Sequence, residues 1–180
     1  MTTRVWIETT RLILRTVTMD DVKDVACSWK LDAPISRREA ENQVRWMLGN
    51  HQQNALGRFV HLCLAIVHKE RREFIGWCGL DHRSQTQANP VLFYLLKAGY
   101  WGKGLATEAA RAVLDYAFIE LDLVRVDARA ALENVASKRV MEKLGMRYLG
   151  LDEVQGYSFT LAREEYSQGG KGCGLSGTSI

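Results

Sequence analysis

The sequence predicts an α/β (α+β) fold: a mixed, twisted sheet of six to seven strands with helices on both faces. Three observations carry this. Runs with strand character alternate with runs at helical spacing. The 180 residues suit one domain with a sizeable core. A content of 47% hydrophobic and 25% charged residues is ordinary for a globular chain. No internal repeat and no second domain is visible.

Leu12 to Leu14 open the chain with a short strand. Thr18-Met19-Asp20-Asp21 has the form of a helix start, and Val22, Val25, Ala26 and Trp29 follow at helical spacing. After Pro34, Ser36 and Glu39 form a capping box. The helix it opens has Ala40, Val44, Met47 and Leu48 as its apolar face, and Gly49-Asn50 is expected to end it. Residues 59–68 and 74–80 are apolar and β-prone, with Lys69-Glu70-Arg71-Arg72-Glu73 as a solvated hairpin turn between them. Residues 81–90 are a polar connection. Val91-Leu92-Phe93-Tyr94-Leu95-Leu96 reads as a buried strand. A long helix follows, striped by Ala106, Ala109, Ala110, Val113, Leu114, Ala117, Phe118 and Leu121. From Val124 to Ala128 apolar and polar residues alternate. A short helix runs from near Asn134 to Gly145, a good C-cap residue, and strands cover residues 148–151 and 157–161. The folded domain is thus residues 1–166. The tail 167–180 holds five glycines and little apolar content, and is expected to be disordered unless a neighbour orders it.

The net charge of +3 accommodates a polyanionic ligand. Basic and acidic residues are interspersed without the aromatic patterning of a nucleic-acid surface, so no nucleic acid partner is expected. Cys27, Cys63, Cys78 and Cys173 contain no Cys-x-x-Cys pair. With His51, His61, His68 and His82 they make no zinc-ligand spacing, so no metal is expected. Idle thiols fit a reducing, cytoplasmic setting. The first eight residues have no signal-peptide core. No apolar run approaches the roughly 20 residues that span a bilayer, so no membrane association is expected.

The chemistry concentrates in Tyr100-Trp101-Gly102-Lys103-Gly104-Leu105-Ala106-Thr107-Glu108, between the Val91 strand and the long helix. Glycine admits close backbone approach. A helix start offers free N–H groups and partial positive charge to phosphate, and Lys103 adds a full charge. The stretch is either a phosphate cradle or an ordinary tight strand–helix turn. It is not a P-loop, because Gly104 rather than Ser or Thr follows the lysine. Nor is it a dinucleotide fingerprint, which needs a third glycine and an acidic residue about 20 positions on.

This stretch resembles the acyl-CoA pyrophosphate loop of the GNAT superfamily of N-acetyltransferases. Gly104 and Ala106 match the last two motif positions, and Trp101 stands where the family has Gln or Arg. The Trp-Gly-Lys-Gly-Leu-Ala-Thr-Glu-Ala run is similar to the branch containing ribosomal-protein N-terminal acetyltransferases. So are residues 9–15, 133–146 and 161–166, in the family's order.

The resemblance implies strands four and five splayed to admit acetyl-CoA as cosubstrate. It implies backbone contacts to pyrophosphate from Gly102, Lys103, Gly104, Leu105, Ala106 and Thr107. Pantetheine amides would pair with the strand edge at Tyr94, Leu95 and Leu96, which would also supply a backbone oxyanion donor. Asn134 and Ser137 would lie against the pantetheine. As a favoured N-cap residue and its N3 neighbour, they have helix capping as the other reading. Where many relatives carry a tyrosine acid, seven residues after the asparagine, this chain has Met141, which favours Ser137 for protonating the thiolate. Where many have a glutamate base, it has Val91. Asp81, His82, Asp127 or proton loss to solvent remain open as the base. The implied activity is direct transfer of an acetyl group to a primary amine in a ternary complex. The acceptor would be a protein N-terminus, a polyamine or an antibiotic-like amine, and the protein a monomer or homodimer. A non-catalytic acyl-CoA-binding sensor is the alternative.

Overall fold

The computed structural model describes residues 4–28, 33–54, 59–82, 88–152 and 156–169. Trp29, Cys173 and the tail from residue 170 lie outside them. The strands are β1 (Trp6–Glu8), β2 (Leu12–Thr16), β3 (His61–His68), β4 (Glu73–Asp81), β5 (Val91–Leu96), β6 (Arg125–Ala130), β7 (Arg147–Asp152) and β8 (Gly156–Ala162). The helices are α1 (Val22–Ser28), α2 (Arg37–His51), α3 (Leu105–Ile119), α4 (Val135–Lys143) and α5 (Arg163–Gly169). One eight-stranded sheet has the order β1-β2-β3-β4-β5-β6-β8-β7. Its pairs are antiparallel except β5–β6. That parallel pair is joined through α3, the crossover such a pair requires.

Side chains alternate across the strands and build two cores. Leu12, Leu14, Leu64, Cys78, Leu80, Leu92 and Leu96 face α3 and α4, meeting Ala109, Val113 and Met141. Cys63, Ala65 and Trp77 face α1 and α2, meeting Val25, Ala40, Val44 and Met47. Each fully buried large side chain contributes about 1.5–3 kcal/mol, so the sheet is fixed from both sides.

Helix starts follow the sequence closely. The Thr18 N–H donates to Asp21 Oδ2 at 2.7 Å in the single turn preceding α1. At α2, Ser36 N–H donates to Glu39 Oε2 (2.8 Å) and Glu39 N–H donates to Ser36 Oγ (3.2 Å). Two boundaries differ from the sequence reading. Helix α2 continues through Gly49 and Asn50 to His51, because Asn50 Nδ2 donates back to Trp46 O (2.8 Å) rather than ending the helix. Ser167 to Gly169, assigned to the tail, complete α5.

Candidate active site

Strands β5 and β6 touch at only two rungs, Val91↔Asp127 and Leu92↔Ala128. From Phe93 onward they diverge and leave a cleft whose vertex lies at those rungs. Peptide groups alternate in direction along β5. The Leu95 carbonyl faces β4, lying 2.0 Å from where a Cβ on Gly76 would stand. Lys97 N–H donates the same way, to Ile75 O at 2.8 Å. Hence Leu95 turns its carbonyl away from the cleft, and the open edge belongs to Tyr94 and Leu96. The Leu96 carbonyl already has a partner, since Trp101 Nε1 donates to it at 2.7 Å.

One turn at Ala98–Tyr100 leads into the glycine loop. Gly102 and Gly104 have φ of +71° and +75°, in the left-handed region that side chains resist. Gly104 is the N-cap of α3. A Cβ on Gly102 would meet nothing within 4 Å, and one on Gly104 only Arg11 Nη2 at 3.7 Å. The space before this backbone is therefore open to a ligand. Trp101 through Gly104 are exposed, whereas Leu105 is buried and pins the helix start into the core. Ala106 and Thr107 are half-buried in the first turn. Lys103 folds back, its Nζ donating to Gly99 O at 2.8 Å.

Glu108 ties this helix start to the β1–β2 turn. Its carboxylate accepts from Thr9 Oγ1 (2.6 Å), Arg11 N–H (2.8 Å) and Arg11 Nε (2.7 Å). Arg11 Nη1 also donates to Lys103 O at 2.9 Å, inside the glycine loop. Burial pushes the Glu108 carboxyl up, but the hydrogen bonds from Thr9 and Arg11 outweigh it and hold the pKa below the usual carboxylate value. A depressed carboxylate contributes stability that is complete above its ordinary pKa and is lost as pH falls through the lower, folded value. Glu108→Ala is therefore expected to cost about 2–3 kcal/mol in urea unfolding at pH 7, leaving three donors short of an acceptor. The gap from wild type should close as pH falls through the folded pKa. A loss that persists unchanged at acid pH would exclude the carboxylate as its source.

Across the cleft, Asn134 caps α4, its Oδ1 accepting from Ser137 N–H at 3.0 Å. The capping reading thus holds for the Asn134 side chain and for the backbone, not the hydroxyl, of Ser137. The Tyr94 hydroxyl donates to Ser137 O at 3.2 Å, bridging β5 and α4. Burial pushes that phenol up to about 12, outweighing the contact with Ser137. Met141 is fully in the core.

A model of the GNAT acetyltransferase domain matches residues 11–147. The chain belongs to the GNAT acetyltransferase family. Its relatives include the uncharacterized N-acetyltransferase p20 of Bacillus licheniformis, 28% identical over 178 residues, covering 88% of this chain and 97% of that one. Among solved structures it is similar to ribosomal-protein-S5-alanine acetyltransferase of Vibrio fischeri (TM-score 0.73, 16% identity, 90% and 98% of the two chains). It is also similar to the spermidine/spermine N-acetyltransferase SpeG of Vibrio cholerae (TM-score 0.68, 17% identity, 89% and 98%). The GNAT chain is thus an N-acyltransferase, and acetyl-CoA is its family's cosubstrate.

In this GNAT domain the candidate bases converge at the vertex. His61, Asp81, Val91, Asp127 and Thr160 are successive register partners across β3, β4, β5, β6 and β8. Such partners point to one face, here the face of α1 and α2. Two carboxylates therefore flank Val91. Asp127 accepts from Thr160 Oγ1 (2.6 Å) and Asn89 Nδ2 (3.1 Å), and Asp81 Oδ1 lies 3.4 Å from His61 Nδ1. His82 falls outside the row, its N–H donating to Val60 O. On the same face a cavity of about 270 Å³ is lined by Cys27, Ser28, Trp77, Leu95, Lys97 and Trp101. Among the described residues no three His, Cys, Asp or Glu side chains gather as a metal would require. No helix there is long and apolar enough to cross a membrane.

The contact between Arg11 and Glu108, and the phenol of Tyr94 as opposed to its backbone, are not legible in the sequence. The available signal was Glu108 itself, an acidic residue in a first helical turn. Its partners lie 97 and 99 residues away.

Proposed function

We propose that this GNAT chain transfers the acetyl group of acetyl-CoA directly to a primary amine in a ternary complex. The observation that carries the reading is the β5–β6 opening at Phe93, continuous with a loop of two left-handed glycines at a helix start. The open, exposed backbone fits a pyrophosphate. Free N–H groups from Gly102 to Thr107 hold it, helped by the positive end of α3 and the nearby charges of Arg11 and Lys103. The β5 edge at Tyr94 and Leu96 pairs with pantetheine amides, as a strand added to a sheet, and a backbone N–H there steadies the oxyanion. Asn134 and Ser137 serve as the opposite wall, and the Ser137 hydroxyl protonates the leaving sulfur. When bound, acetyl-CoA supplies the activated thioester.

The amine enters from the α1–α2 face, where the cavity and the two vertex carboxylates lie. Its proton leaves to Asp81, to Asp127 or through water. The acceptor is a protein N-terminus, a polyamine or an antibiotic-like amine in a cytoplasmic setting, a reading supported by structural neighbours named for a ribosomal-protein alanine and for spermidine and spermine.

Coenzyme A and acetyl-CoA are expected to raise the melting temperature, with ATP and NAD having little effect. At about 100 times the dissociation constant the stabilisation is roughly 2.7 kcal/mol. Equal stabilisation by ATP would sink the cradle assignment. Thiol release from acetyl-CoA with an alanine-leading peptide, spermidine or kanamycin identifies the acceptor, and no release with any of these amines would count against transfer to a primary amine.

A further inference from the structure

We propose that the Tyr94 phenol, delivered from β5, donates the hydrogen bond that stabilises the departing sulfur during acetyl transfer. The inference rests on the reading that the thioester lies in the β5–β6 opening. Tyr94 is the second residue past the last paired rung. Its ring packs on the α3–α4 core and its hydroxyl reaches Ser137 O at 3.2 Å. The side chain therefore spans the two walls of the cleft just beyond its vertex, and a pantetheine arm running along the β5 edge toward the vertex passes it.

The acceptor it now uses is replaceable. Ser137 O lies inside α4, where helix geometry assigns it the Met141 N–H. The phenol bond is a secondary one, longer than the usual 2.7–2.8 Å for O–H···O. Exchange for a developing thiolate strengthens the bond, since a charged acceptor binds a donor roughly twice as well. With its pKa held near 12 by burial, the phenol is protonated throughout the working range. It is a far weaker acid than an ordinary thiol near 8.5, so it stabilises charge without surrendering its proton, as an oxyanion-hole donor does. Met141, buried in the core, offers no donor.

The reaction balances without a co-reactant. The amine nitrogen bonds to the acetyl carbon, the C–S bond breaks, and its electron pair goes to sulfur. One proton leaves nitrogen and one reaches sulfur through Ser137 and solvent.

The test uses coenzyme A bound to the full chain, with the thiol titrated by the ultraviolet absorbance of its thiolate. A donor to the charged form lowers a pKa, so the bound thiol should titrate below free coenzyme A. Tyr94→Phe keeps the ring and should raise that titration by about one unit, a tenfold change in thiolate fraction. Melting temperature should hold, and coenzyme A affinity should change only a few fold. An unchanged bound-thiol titration overturns the assignment. So does a shift accompanied by lost folding or lost affinity, which marks Tyr94 as only a tie between β5 and α4. Failure of the wild-type chain to bind coenzyme A overturns the transferase reading itself, a separate outcome read in the same experiment.

Discussion

Gly104→Val is expected to weaken coenzyme A binding at least a hundredfold. Gly104 sits at φ +75°, ψ 4° as the N-cap of α3. Valine, branched at Cβ, holds such a conformation only at a cost of about 1–3 kcal/mol. Its side chain would also fill the open space where phosphate oxygens must approach the main chain. Beyond the adjoining residues of the chain, the nearest protein atom to a Cβ there is Arg11 Nη2, at an ordinary contact distance of 3.7 Å. Part of the loss will appear as a lower melting temperature. Gly104→Asn separates the two effects, because asparagine tolerates left-handed backbone while still occupying the cradle. The asparagine variant should melt nearly as the wild type yet bind coenzyme A poorly by calorimetry. Wild-type affinity in either folded variant would move the phosphate site elsewhere.

Ser137→Ala is expected to lower kcat by about 10²-fold or more, within the usual range for general acid catalysis. Coenzyme A affinity should fall by only about 0.5–1.5 kcal/mol, the worth of one hydroxyl contact. The cap of α4 uses the Ser137 N–H and the Asn134 side chain, so the melting temperature should not move. Asn134→Ala should show the converse signature in stability, losing about 1 kcal/mol with the cap. Measuring kcat, affinity and melting temperature on both variants separates catalysis from capping. Full kcat in Ser137→Ala would remove the serine from the chemistry and leave the Tyr94 phenol as the donor at the sulfur.

What the sequence revealed was local. The strand–glycine–helix unit, the capping boxes at Thr18 and Ser36, and the left-handed Gly145 that follows α4 are each written within a few residues. The hidden features depend on distance or direction. Strand β1, with three residues, is too short to show a period and exists through its pairing with β2. Peptide alternation sends the Leu95 carbonyl to β4, a fact fixed by register rather than residue type. The phenol of Tyr94 reads as core in an apolar run, and only the placement of α4, 43 residues on, gives it a partner. The carboxylate row at the vertex likewise needs three strands, β4, β5 and β6, aligned before Asp81 and Asp127 flank one residue.

The bond from the β1–β2 turn to Glu108 also bears on how this chain matures during synthesis. Arg11 emerges from the ribosome 97 residues before the glutamate that receives it. At about 5–20 residues per second the wait is roughly 5–20 s. Over that interval the N-terminal hairpin has its pairing with β3 to form, but its arginine has neither the Glu108 carboxylate nor the Lys103 carbonyl. The glycine loop therefore acquires its brace only after more than half the chain has been made, and on the proposed function the ability to hold coenzyme A arrives late in the life of the nascent polypeptide.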